Sequence, residues 1–130
     1  MRSRLVASAA MVVGALMVCG PMYPHHGNAA YDEKSPVTLK GTVTEFEWAN
    51  PHSQIYFDVK DVKGDVVHWA CETLSPGKLV RAGWSKDVVK PGDQITITLI
   101  PSKSGALVGL LHKLVFADGR TLGIEELPPH

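Results

Sequence analysis

The residues with the most chemistry to offer are six histidines, His25, His26, His52, His68, His112 and His130. Imidazole binds copper, zinc and nickel well, and it exchanges a proton near neutral pH. Spacing decides which of the six can act together. The chain has no His-x-His on a strand, no His-Glu-x-x-His and no paired-cysteine motif. His68 and Cys71 are three residues apart, and on a strand such residues face opposite ways, about 10 Å apart. They cannot share a metal. His25 and His26 are adjacent in a stretch that can bend both rings toward one ion, and His52 is the third candidate ligand for that copper or zinc site. The plain alternative for the pair is a polar spacer.

His52 belongs to a second constellation. Asn50-Pro51-His52 separates two strand signals, with Trp48 before it and Tyr56 after it. In five-stranded OB-type barrels the loop between strands one and two and the loop between strands four and five flank the ligand face. The second loop would be residues 101–106, carrying Ser102, Lys103 and Ser104. Trp48, Asn50, His52, Tyr56 and Lys103 are therefore the candidate ligand-binding set, offering indole, amide, imidazole, phenol and ammonium groups at one end of the barrel. Turn chemistry is the competing account: Asn50 bonds its own backbone, Pro51 fixes φ and His52 caps the strand.

Catalytic signatures are missing. There is no Gly-x-Ser-x-Gly elbow, no phosphate-cradling glycine loop and no nucleophile beside an evident base. Glu125 and Glu126 are adjacent near the terminus, a poor frame for acid–base work. No enzyme is expected. Cys71 shares its strand phase with Val67 and Trp69 and reads as a buried small hydrophobe. Trp48 and Trp84 read as packing residues, although an exposed indole can stack on a sugar ring.

The elements that must position these groups are mostly strands. Val37, Leu39, Gly41 and Val43 alternate with polar residues, after which the apolar phase slips to Phe46 and Trp48. A one-residue slip near a glycine predicts a bulged or sharply bent first strand that serves two sheets. Ile55, Phe57 and Val59 face inward on a second strand. A third runs from Val66 to about Glu72. Ser75, Pro76 and Gly83 bracket a short helix over residues 78–82, docked by Leu79, Val80 and Trp84. Pro91-Gly92-Asp93 is a turn of the type II preference. Ile95, Ile97 and Leu99 face inward on a fourth strand, a fifth covers about Val108 to Phe116, and Asp118-Gly119 turns into a short last strand near residues 121–124. The expected fold is mainly β: one small five- to six-stranded OB-like barrel over residues 37–124, with one short helix between strands three and four. A small β-sandwich is the competing fold.

The first segment points to export. Arg2 and Arg4 precede an apolar run from Leu5 to Cys19, too short for the roughly 20 residues that span a bilayer but suited to a signal peptide. The leader is expected to cover residues 1–24, with its end as late as residue 30. Residues 25–36 read as a flexible lead-in, and residues 125–130 as a tail. The precursor has 13 basic and 13 acidic residues; losing Arg2 and Arg4 leaves 11 against 13, a net charge of −2. That balance carries no footprint for nucleic acid or an anionic membrane surface. With Cys19 removed, Cys71 alone remains, so folding rests on the apolar core and not on a disulfide.

Residues 37–43 (VTLKGTV), Trp48-Ala-Asn-Pro-His52, Trp69, Ser75-Pro76, Gly83-Trp84 and Lys90-Pro-Gly-Asp93 together resemble a family of small exported bacterial proteins described only as a domain of unknown function. The resemblance covers roughly residues 25–123. A His-His pair near the mature start is also similar to that family, and His25 and His26 match it; Pro24 before the pair departs from it. The resemblance implies export and a single domain, and it names no ligand. Two expectations follow. One is a periplasmic or secreted accessory module that holds a small molecule or an envelope protein without stable membrane insertion. The other is a periplasmic copper- or zinc-binding protein using His25, His26 and His52.

Overall fold

Strand β1 (Val37–Glu47) does two jobs. A computed structural model describes residues 30–124, and in it the first half of β1 pairs antiparallel with β4 (Gln94–Pro101), from Val37↔Leu99 to Thr42↔Gln94. The second half pairs with β2 (Gln54–Lys60), and the register shifts between Val43 and Glu45. The slip of apolar phase in the sequence is this bulge. An added residue re-aims every side chain beyond it, so Val43 before the bulge and Phe46 after it both turn toward the core. Gly41 sits where β1 crosses β2 closely: a Cβ there would lie 2.6 Å from the Asp58 carbonyl oxygen. Only glycine permits that approach.

β2 pairs along its length with β3 (Val66–Glu72). After β3 the chain forms helix α1 (Pro76–Arg81), enters β4, and continues into β5 (Val108–Phe116) and the short β6 (Thr121–Gly123). β3 and β5 pair in parallel over Ala70–Glu72 and Val108–Leu110, which closes a five-stranded barrel in the order β1-β2-β3-β5-β4. β6 is an extra strand on β5. The expected OB-like order, with one short helix between β3 and β4, is the observed one.

Alternation fills the interior. Ile55 and Phe57 from β2, Cys71 from β3, Ile95, Ile97 and Leu99 from β4, and Leu111, Leu114 and Phe116 from β5 are buried together. Burial pushes the Cys71 thiol well above its ordinary pKa, so it stays protonated and inert at neutral pH. Trp69 stacks on Phe57 with centroids 6.4 Å apart, and Trp48 meets Phe46 edge-on at 5.7 Å. Both indoles are half-buried.

The helix departs from expectation in detail. It spans residues 76–81, starting at Pro76 as that residue's fixed φ favours. Leu79 is fully buried, but Val80 is exposed and does not dock. Consecutive residues on a helix lie about 100° apart, so a helix this short seats one of the two. Trp84 provides the second anchor: it is buried, and its Nε1–H donates to the Gly123 carbonyl at 2.9 Å. Gly83, at φ +91°, turns the chain between them.

The lead-in also differs over its described part. Tyr31 bridges Ser102, the Asp32 amide donates to the Pro101 carbonyl at 2.9 Å, and the Lys103 amide donates to the Ala30 carbonyl at 3.0 Å. Residues 30–32 are thus fastened to the end of β4, where backbone groups beyond the β1 pairing were available to a further partner. The leader, residues 25–29 and the tail 125–130 lie outside the described residues.

Candidate functional site

The loop between β1 and β2 is built on Ser53. That side chain is fully buried, and its Oγ accepts from the Ala49 amide at 3.3 Å and donates to the Ala49 carbonyl at 3.4 Å. Backbone bonds stitch the same residue to the segment after β3: Ser53 N–H to Leu74 at 2.9 Å, and Thr73 N–H to the Ser53 carbonyl at 2.8 Å. The Asn50–Pro51 peptide is cis. Ser53 thus ties the loop to the segment after β3 with its hydroxyl and both backbone groups bonded.

His52, one residue earlier, turns outward. Its Nδ1 lies 3.1 Å from the Thr73 carbonyl oxygen and 3.3 Å from Glu72 Oε1. Both neighbours only accept hydrogen bonds, so Nδ1 carries a proton, and Nε2 is the ring nitrogen left to face a ligand. Nε2 makes no hydrogen bond with the described residues, and the side chain is 49% exposed against 18% for Glu72. Tyr31 completes this corner. Burial first, and then the Glu72 charge, push its phenol above the ordinary tyrosine value.

The remaining candidates fall as follows. Tyr56 stands on the outer face of β2, opposite Ala70, and its hydroxyl donates to Glu47 Oε2 at 3.1 Å. Burial first, then that bond and the Glu47 and Glu45 charges, raise its pKa. Trp48 packs against Phe46 beside the loop. Asn50 is exposed, and its side chain bonds none of the described residues, so it does not make the turn bond to its own backbone. Lys103 is exposed, and its amide donates to the Ala30 carbonyl at 3.0 Å, one residue before Tyr31. The β4–β5 loop attaches to β3 at Ala70, whose amide donates to Leu107, whereas the β1–β2 loop attaches at Thr73 and Leu74.

His68 pairs across strands with Asp58, Nδ1 to Oδ1 at 2.5 Å, on the same outer face. His112 is exposed on β5. His25, His26 and His130 lie outside the described residues, among which no group of three or more histidine, cysteine, aspartate or glutamate side chains is placed to hold a metal. No helix among them is long and apolar enough to cross a membrane.

The groups that spacing alone missed are Glu72, Thr73 and Tyr31. Glu72 was discoverable: it shares the outward phase of His68, and the expected β2–β3 hairpin sets it beside the start of β2, next to His52.

The model of a family of unknown function, DUF6152, matches residues 14–112 of the chain. No curated protein and no solved structure matches it.

Proposed function

The chain belongs to this family of unknown function, DUF6152, and we propose that it is an exported, periplasmic binding module that takes a small ligand or an envelope-protein segment at the β1–β2 loop. The observation that carries the reading is the orientation of His52: Nδ1 is held by Thr73 and Glu72, and Nε2 faces outward from a rigid loop. A ring fixed in this way is a preorganised hydrogen-bond acceptor, because little side-chain freedom is lost on binding. Tyr31, near enough for the Glu72 charge to act on its phenol, supplies flat surface at the same corner.

The test has two arms. Expressed in a Gram-negative host, the protein is recovered from the periplasm and is shorter than the precursor by about 20–30 residues, the usual leader length. A full-length chain in the membrane fraction refutes export. In the second arm, ligands retained by the untagged protein are identified by mass spectrometry, and His52→Ala loses them. Equal retention by both proteins refutes the site.

One observation favours a second reading, copper or zinc. Histidines that ligate metals characteristically donate their other ring N–H to a carboxylate or a carbonyl, as His52 does. His52 is a single ligand among the described residues, so His25 and His26 would have to complete the set. Metal would then raise the melting temperature of the wild type and not of His52→Ala, and the affinity would fall below about pH 6.5 as imidazoles take up protons. Equal shifts for the two proteins exclude it.

A further inference from the structure

The strand order β3-β2-β1-β4-β5-β6 has two outer edges, and they are finished differently. β6 is three residues long, and Trp84 Nε1–H takes its Gly123 carbonyl at 2.9 Å. β3 is covered by β5 only over Ala70–Glu72. On the side away from β2, its residues Val66–Trp69 have no strand beside them among the described residues. The Ala70 amide donates to the Leu107 carbonyl on that side. Backbone groups alternate in direction along a strand, so those of Val66 and His68 face the open side and those of Val67 and Trp69 face β2. Two donors and two acceptors are left over among the described residues.

Sheets usually blunt such an edge with a proline, a bulge or a charged side chain. Residues 66–69 are Val-Val-His-Trp, and their pairing with β2 is regular. Of the five large hydrophobic residues exposed among the described ones, four border this edge: Val66 on it, Val62 in the turn before it, and Leu107 and Val108 where β5 begins. The edge is apolar and unprotected.

A second copy of this chain fits it by symmetry. In an antiparallel pair with its two-fold axis at Val67, Val66 of one copy stands opposite His68 of the other, and each such pair exchanges two hydrogen bonds. All eight free groups of the two copies are then paired. A shift of two residues sets Val66 or His68 against its own copy and leaves the other facing the turn or the covered Ala70. In the symmetric register the second copy's strand begins at Val66, level with His68. Its turn therefore leaves the sheet before Ala70, where Leu107 already holds the edge. Val66 is laid against a His68 ring that is 81% exposed in one copy alone, and the turn carrying Val62 comes alongside Leu107 and Val108.

We propose that the protein self-associates through the open edge of β3, Val66–Trp69, joining two barrels in a two-fold dimer with one continuous sheet. The contact is short, below the roughly 1,200 Å² of a stable interface, so the dissociation constant should be on the order of 100 µM.

The experiment is sedimentation equilibrium of the mature protein from about 10 µM to about 1 mM, a range that brackets that constant. A monomer–dimer equilibrium is expected, with amide exchange at Val66 and His68 slowing as concentration rises. Val66→Pro removes a donor aimed only at the second copy, at the first position of the strand, where proline is tolerated. Val66→Lys keeps the backbone whole and sets an ammonium against the second copy's edge. Each should weaken association by about tenfold or more, with the melting temperature of the dilute monomer unchanged. His52→Ala should associate as the wild type does, because the His52 loop lies outside the contact. Val67→Cys should oxidise to a covalent dimer, since facing residues of a non-hydrogen-bonded pair have Cα atoms about 4.5 Å apart. Val62→Cys, which the register sets far from its own copy, should not. A monomer throughout the range overturns the proposal, as does a dimer that survives both Val66 variants. Cross-linking at Val62 and not at Val67 overturns the register.

Discussion

Two seams hold β5 in the barrel, and they are unequal. Against β4 it makes seven antiparallel residue pairs, from Ile95↔Phe116 to Pro101↔Gly109, with fully buried Ile97, Leu99 and Leu114 beneath them. Against β3 it makes three parallel pairs, Ala70↔Val108, Cys71↔Gly109 and Glu72↔Leu110. The long seam is where apolar burial is concentrated. The short one closes the barrel and carries at its end Glu72, the residue that orients His52. Candidate chemistry therefore sits beside the least-paired edge of the barrel, where the sheet has polar groups left to offer a ligand. Stability and recognition are built by different stretches of the same strands.

Mutations can break or sharpen that contrast. The largest effect belongs to the long seam: Ile97→Ala should cost about 2–5 kcal/mol in chemical denaturation, the range for truncating a fully buried isoleucine. A loss under about half a kcal/mol, within the ordinary range for surface substitutions, would mean that β4 does not anchor the core. Gly109→Ala strikes the point where both seams meet. Its Cβ would lie 2.5 Å from Leu99 Cδ1 and 2.8 Å from the Ile100 carbonyl oxygen, and strand shifts of that kind cost about 1–3 kcal/mol. Trp84→Phe keeps the ring and removes the hydrogen bond to Gly123, which should cost about 0.5–1.5 kcal/mol and loosen β6 first in hydrogen exchange. The smallest perturbation needs no mutation. Cys71 lies in the middle of the short seam, so a thiol reagent should label it through local opening, faster than the protein unfolds globally. Labelling at the global unfolding rate would show that the two seams open together.

Much of the barrel was legible because alternation is a local property. Ile95, Ile97 and Leu99 announce β4, and the slip from Val43 to Phe46 announces the bulge without knowledge of any partner strand. Val80 was misplaced because a helix of six residues is too short for periodicity to say which of two adjacent apolar residues is seated. The Tyr31 bridge was invisible for a related reason: one isolated backbone pair leaves no repeating pattern. The site was half legible. His52 and Tyr56 stood out by type and spacing, but the Thr73 carbonyl is a backbone group on a distant segment, which side-chain chemistry does not reveal. Lys103 was grouped with His52 by loop order, and its backbone joins Ala30, beside the Tyr31 that the Glu72 charge reaches.

The three tryptophans turn this architecture into something that can be watched with light. Trp84 is buried under β6 with its ring N–H bonded, so its emission should be blue-shifted and shielded from acrylamide, and should change when β6 detaches. Trp69 lies over Phe57 on the hairpin of β2 and β3, and Trp48 stands at the entrance to the His52 loop, half in contact with water. Single-tryptophan variants would give three reporters with separate assignments: the extra strand, the hairpin and the loop. An occupant arriving beside His52 would then register in the colour of Trp48 while the other two stay silent.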